Sequence, residues 1–256
     1  MAGETGPAIN PIEQFSITPL IPIRIAGHDF SLTNSSLYML IAVGLACLLM
    51  TAGARGGPGV PGRLQSAAEL AYEFIAGMLR SATGEKGMRF FPMVFSLFMF
   101  VLIINLIGLP AYTFEVTAQI VITATLALLV FFTVVFVGLK EHGFHWFKLF
   151  VPPGVQWYML LFVVPIEIIS FLTRPLSHSV RLFANMLAGH IMLSVFGGFS
   201  VMLLSAGVLF KVLAVLPVVM NVGVFALELL VAFLQAYVFA MLTCMYLNDA
   251  IHPGGH

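Results

Sequence analysis

Two runs in the C-terminal half of this chain, residues 156–197 and 200–247, each hold more than forty mostly apolar residues. A helix that crosses a bilayer upright needs about 20 such residues, so each run is too long for one perpendicular span. Each must tilt steeply, kink or fold into a hairpin. Pro165, Pro175 and Pro217 are available kink points, and Gly197-Gly198 is the natural break between the runs. Long, strongly tilted helices are the expected outcome. Three shorter spans precede them, at about 37–54, 90–110 and 116–139.

The whole chain is 60% hydrophobic and 9% charged, against roughly 25% charged in a soluble domain. That balance excludes a large water-facing domain among its 256 residues. Its net charge of zero gives no attraction for a polyanion, so nucleic acid is not an expected partner; the lipid bilayer is. The expected fold class is all-α integral membrane, with about six helices. An N-terminal extramembrane arm (1–36), a membrane helical domain (37–247) and a short polar tail (248–256) make up the chain. The arm is punctuated by Pro7, Pro11, Pro19 and Pro22 and is expected to lie extended along the membrane surface. It shows no basic stretch followed by an apolar one, so no cleavable signal peptide is expected.

Residues 63–81 differ from the spans. Leu64, Ala67, Leu70, Ala71, Phe74, Ile75 and Met78 recur at helical spacing, and Arg63, Gln65, Ser66, Glu69, Glu73 and Arg80 take the opposite face. This pattern predicts an amphipathic helix at the interface or against other spans. Three other signals carry little. Gly57, Gly59 and Gly62 match a dinucleotide fingerprint, but no strand precedes them, and Pro58 and Pro61 remove backbone donors. His142 and His145 lack further ligands at metal-binding spacing, so a solvated loop is expected and no metal. Cys47 and Cys244 read as small buried residues rather than a disulfide. No cofactor is implied.

Charge sets orientation. Arg55, Arg63, Arg80, Lys86, Arg89, Lys140 and Lys148 follow the first span or border the spans near 90 and 139. The positive-inside rule makes those loops cytoplasmic, which puts the N-terminus outside and, after five crossings, the C-terminus inside.

The functional signal lies in charges where hydrocarbon is expected. An Arg, Glu or Asp at the centre of a span costs about 2.5–3.5 kcal/mol and usually lines a pathway. The two long runs carry Glu167, Arg174, Arg181, Lys211 and Glu228, with His178 and His190 beside them. Lys211 snorkels from near a helix end. Arg174 is a candidate bridge to Glu167. Arg181 has no acidic neighbour within two turns. Glu167, Arg174 and Arg181 are seven apart, which places them on one helical face about 21 Å long, extended by Asn185. His190 falls about 180° round from Arg181 and addresses a different compartment. On the last helix Asn221, Glu228 and Gln235 are again seven apart and share a face. A guanidinium cannot pass a proton along, whereas His and Glu can. A fixed cation between titratable groups suits a proton path that must not run straight through.

RPLSHSVRLFANMLAGHIML, beginning at Arg174, together with ELLVAFLQAYVFAML, beginning at Glu228, resembles the a subunit family of rotary F-type ATP synthases. The amphipathic second helix, NLIGLP at Asn105 to Pro110 and TAQI at Thr117 are similar too. The resemblance implies proton translocation coupled to rotation of a c-subunit ring, in a bacterial inner membrane or an equivalent energy-coupling membrane. It also implies b-type peripheral stalk subunits and the rest of the synthase complex as partners.

Carried over by residue, Arg181 matches the family's essential arginine, the barrier that faces the c-ring carboxylate between two offset half-channels. Gln235 matches the glutamine beside it. His190 and Glu228 match the pair of the outer half-channel, in the chain order of mitochondrial-type subunits. Glu167 matches the inner half-channel carboxylate, and Asn185 a polar residue one turn from the arginine. Arg174, His178 and Asn221 gain no role from the resemblance. No GxxxxGK loop followed by Ser or Thr is present, so the chain is not expected to be an enzyme by itself. A proton-coupled secondary transporter for an anionic substrate is the alternative, though no internal repeat of that kind is evident.

Overall fold

In hydrocarbon every backbone N–H and C=O must be bonded within its own segment, so apolar runs that enter a bilayer become helices. The computed structural model describes residues 16–22, 24–25, 28–29, 31–54, 61–110, 113–143, 146, 150–151, 156–205 and 208–252. Its helices are α1 (Asn34–Ala54), α2 (Arg63–Thr83), α3 (Phe91–Gly108), α4 (Ile120–His142), α5 (Trp157–Ser205), α6 (Val208–Leu213) and α7 (Val215–Ile251). Short 3-10 turns precede α3 (Glu85–Phe90) and α4 (Val116–Ala118). Five of the helices are long and apolar enough to cross a membrane, with α2 and α6 the exceptions. Gly57, Gly59, His145, Arg55 and Lys148 lie outside the described residues, as do most of the N-terminal arm and residues 253–256.

The arm is not simply extended where it is described. Four short strands, β1 (Pro19–Ile21), β2 (Arg24–Ile25), β3 (His28–Asp29) and β4 (Leu32–Thr33), form two antiparallel pairs, β1 with β4 and β2 with β3. The Asn34 carboxamide ties this arm to the start of α1 through the backbone of Ser16 and Thr18.

α5 has 49 residues and α7 has 37. At 1.5 Å per residue they measure about 74 and 56 Å, and neither can stand upright in a core about 30 Å thick. The expected break at Gly197-Gly198 is absent. Both glycines are helical within α5, and the chain leaves the helix only after Ser205. Gly198 is buried, and Gly197 stands opposite the Asn221 carboxamide of α7, so these residues serve close helix approach rather than a turn. α7 also runs four residues into the expected tail, with Ala250 and Ile251 buried.

Small side chains set the packing of α7. Ala232, Ala236, Ala240 and Cys244 recur every fourth residue and are fully buried, which lets α3, α4 and α5 close on it. Phe98 and Val101 of α3, Leu182 and Met186 of α5 and Phe239 of α7 fill the core they frame. α2 lays its apolar face on this bundle through Ile75, Met78 and Leu79, and its Phe74 meets the rings of Phe98, Phe233 and Tyr237. Cys244 is buried as expected, whereas Cys47 is exposed on α1.

Charges gather at one end. Arg89, just before α3, pairs with Glu141 of α4 at 2.9 Å. His142 was expected in a solvated loop; instead its Nε2 lies 2.9 Å from the carbonyl of Ile251, joining the ends of α4 and α7. Arg174 does not bridge to Glu167. Its guanidinium meets Asp249 at 2.8 Å, flanked by the Phe171 and Tyr246 rings, because α7 continues far enough to bring a carboxylate alongside.

A Cβ at Gly53 of α1 would stand 2.6 Å from the Ala68 methyl of α2, whereas one at Gly44 would meet nothing within 4 Å. Gly53→Leu is therefore expected to destabilise the protein by about 1–3 kcal/mol and Gly44→Leu hardly at all. Thermal unfolding of the two variants in detergent checks this; equal midpoints would refute the close α1–α2 contact.

Candidate functional site

The C-terminal end of α3 and the turn after it build the first polar site. Pro110 cannot donate a backbone hydrogen bond, so the helix ends before it and the chain doubles back to a 3-10 turn. Glu115 enters this turn with its carboxylate folded against Gly108. A Cβ at that position would collide with Glu115 Oε2, so glycine is what admits the carboxylate. Thr117 contacts Glu115 Oε1 and lies 2.9 Å from Asn105 Oδ1. Asn105 Nδ2 donates to the carbonyl of Ala232 on α7 at 3.3 Å. The turn is thereby fastened to the long helix behind it.

His190 of α5 completes the cluster, its Nε2 3.3 Å from Glu115 Oε2. Glu228 enters from α7 across Gly189, where an added Cβ would stand 2.5 Å from its Oε1. Asn105, Glu115, Thr117, His190 and Glu228 are each no more than 2% exposed. Neither Glu228 oxygen has a hydrogen-bond partner among the described residues. Two carboxyl groups and an imidazole are thus buried together, where low dielectric makes uncompensated charge costly.

A cleft of about 560 Å³ opens between α5 and α7 beside the cluster. Ser194, Gly197 and Ser200 of α5 and Asn221 of α7 line it. Ser194 lies one turn beyond His190 and Asn221 two turns before Glu228, so polar atoms continue along both helices from the cluster into the cleft.

The second site is separate. Arg181 is exposed on α5, and nine residues separate it from His190, about 13 Å along the axis and on the other side of the helix. It makes no ion pair among the described residues. Gln235 of α7 and His178 of α5 share a small cavity with it. Asn185 is exposed one turn further on, and Glu167 is half-buried four turns back. The face on which Glu167, Arg174 and Arg181 were expected to align is interrupted, because Arg174 turns to Asp249.

A model of the family described as ATP synthase A chain matches residues 36–248. The protein of Bradyrhizobium diazoefficiens named ATP synthase subunit a is 59% identical over 96% of this chain and 99% of its own length. Those of a Chelativorans species and of Rhizobium rhizogenes, with the same name, are 61% and 57% identical over 96% and 97% of this chain. They are covered over 99% and 100% of their own lengths. The chain belongs to the ATP synthase A chain family. It is a multi-pass membrane protein that translocates protons within ATP synthase, in complex with other subunits that carry the ATP chemistry. A secondary transporter is not favoured.

Within this A chain the structure unites His190 with Glu228 and Arg181 with Gln235, and it keeps the two pairs apart. Glu115 escaped the sequence analysis because it sits in a turn between spans. The signal that could have found it is Asn105, a carboxamide inside an otherwise apolar span, ten residues before it. Glu115→Gln keeps the size of the side chain and exchanges the carboxyl group beside His190 for a carboxamide. The variant is expected to slow proton transport by about 100-fold while the complex assembles. Acidification of membrane vesicles driven by ATP is the measurement, and an unchanged rate would exclude Glu115 from the proton path.

Proposed function

We propose that this A chain is a stator carrying two offset half-channels, separated by Arg181, that load and unload protons on acidic residues of a rotating c-subunit ring. One observation carries the proposal: the Arg181 guanidinium is exposed and makes no ion pair among the described residues, on a helix long and apolar enough to cross a membrane. An isolated charge there costs about 2.5–3.5 kcal/mol, so it calls for an acid from another chain. The surrounding surface fits a passing helix. Ser170, Thr173, Ser177, Ala184 and Ala188 are exposed along the same side of α5 and are small enough for close helix contact. Leu227, Leu230 and Leu234 of α7 supply an exposed apolar flank.

In the synthesis direction a proton enters the cleft beside Ser194 and Asn221 from outside. The Glu115–His190–Glu228 cluster passes it to a ring carboxylate. Once neutral, that carboxyl group turns into lipid at little desolvation cost. After almost a full rotation it reaches the inner half-channel near Glu167. Here Arg181 favours the ionised form through its opposite charge, and the proton leaves to the inside. Each charge crossing 100 mV supplies about 2.3 kcal/mol. Gln235 and Asn185 position the guanidinium, and Asn221 lines the outer inlet. The end bearing Arg80, Lys86, Arg89 and Lys140 faces the cytoplasm of a bacterial inner membrane, with the N-terminus outside. The b-type peripheral stalk subunits hold the chain against rotation.

Arg181→Ala is expected to abolish proton-driven ATP synthesis in sealed vesicles and to raise passive proton leak. Arg181→Lys is expected to be impaired as well, because an ammonium lacks the planar fork of donors. Normal coupled synthesis by Arg181→Ala would overturn the assignment. Asn185→Cys should cross-link to a c-subunit helix, whereas Met186→Cys, on the buried side, should not.

A further inference from the structure

His178 has a setting that packing does not explain. It lies on the side of α5 that meets α7, 5% exposed, with its ring edge-on to Phe239 and the centroids 3.9 Å apart. Neither ring nitrogen has a hydrogen-bond partner among the described residues. Leaving such polar atoms dry forfeits their hydration with nothing in return. A leucine or phenylalanine would fill the same space without that cost.

Two cavities of about 10 Å³ each open onto the ring. Each has roughly the room that one water molecule needs. The first is shared with Arg181 and Gln235, and the second with Arg174 and Tyr246. A water in either finds the two or more polar partners that a buried water requires. Past the second cavity stands the Arg174–Asp249 pair, whose side chains are 27% and 19% exposed at the charged end of the bundle. The polar groups that share a cavity with His178 are thus Arg174 and Arg181 from α5 and Gln235 and Tyr246 from α7, with Asp249 behind Arg174. α4 contributes only Ala127, Val130, Phe131 and Val134.

We propose that His178 relays protons from the Arg181 site to the Arg174–Asp249 pair through one water on each side of its ring, forming an inner route distinct from Glu167. The proposal rests on the reading of Arg181 as the barrier. A neutral imidazole has one bare and one protonated nitrogen. The first water takes the proton released by the ring carboxyl group and gives its own to the bare nitrogen, forming an N–H bond. The opposite N–H bond breaks toward the second water, which passes a proton to Asp249 or to solvent. The imidazole ends neutral as the other tautomer, and a ring flip restores the starting arrangement. No electrons are transferred and no bond to carbon changes.

The test uses the whole synthase in sealed membrane vesicles, with ATP-driven acidification and passive leak both measured. His178→Phe keeps an aromatic ring beside Phe239 and removes both nitrogens. It is expected to slow pumping by about tenfold or more, with unaltered assembly and no added leak. His178→Ala leaves a ring-sized space, is expected to be comparably slow, and should recover several-fold when imidazole is added. The recovery should follow the protonation of free imidazole as pH is varied. Wild-type pumping by His178→Phe would overturn the relay, as would a slow His178→Ala that imidazole does not restore, which is the mark of a packing role. If His178→Phe fails to assemble, the imidazole response of His178→Ala decides. Arg181→Ala separates the two levels: if it stays coupled, the barrier and the relay fall together. If it uncouples while His178→Phe pumps normally, the relay alone falls.

Discussion

A charge placed in hydrocarbon must be compensated, and the way each is compensated here sorts the polar residues of this chain into roles. Arg174 is answered by Asp249 and two aromatic rings, so it joins α5 to the end of α7. His190 is answered by Glu115 in a cluster closed off from lipid. Arg181 is answered by nothing among the described residues. A bundle built only for stability would have no use for such a residue, because removing it would save the cost of holding a charge in a spanning segment.

The same helix that bears this cation can bear the buried His190 because its two sides belong to different surroundings. Nine residues of α helix carry a side chain half a turn round and about 13 Å along. Arg181 is exposed where His190 is buried, and no continuous file of titratable groups joins them. Separation of the two polar sites is thus a property of helical geometry, maintained by core residues such as Leu182 and Met186 that fill the space between α5 and its neighbours.

Much of this was legible in the sequence, for identifiable reasons. Spans announce themselves because hydrocarbon thickness fixes a length of apolar residues, and α2 because one face alternates with another at the helical period. Heptad spacing placed Asn221, Glu228 and Gln235 on one side of α7, where all three face inward or line the cleft. What stayed hidden depends on contacts between distant segments. Gly197-Gly198 reads as a break to any local rule, but the approach of α7 turns the absence of side chains into a packing advantage. Arg174 has Glu167 seven residues away in sequence, yet its partner lies 75 residues on. Glu115 looks like a loop residue until the fold brings Gly108, Thr117 and His190 around it.

That last arrangement has a consequence for how the protein is made. Glu115 comes from a turn after α3, His190 from the middle of α5 and Glu228 from the middle of α7, and Asn105 anchors the turn to α7. A chain folded only as far as α4 holds one of the three titratable groups and lacks the Ala232 carbonyl to which Asn105 is bonded. The cluster is therefore complete only once the last helix docks, which makes its closure a late event in the folding of the chain.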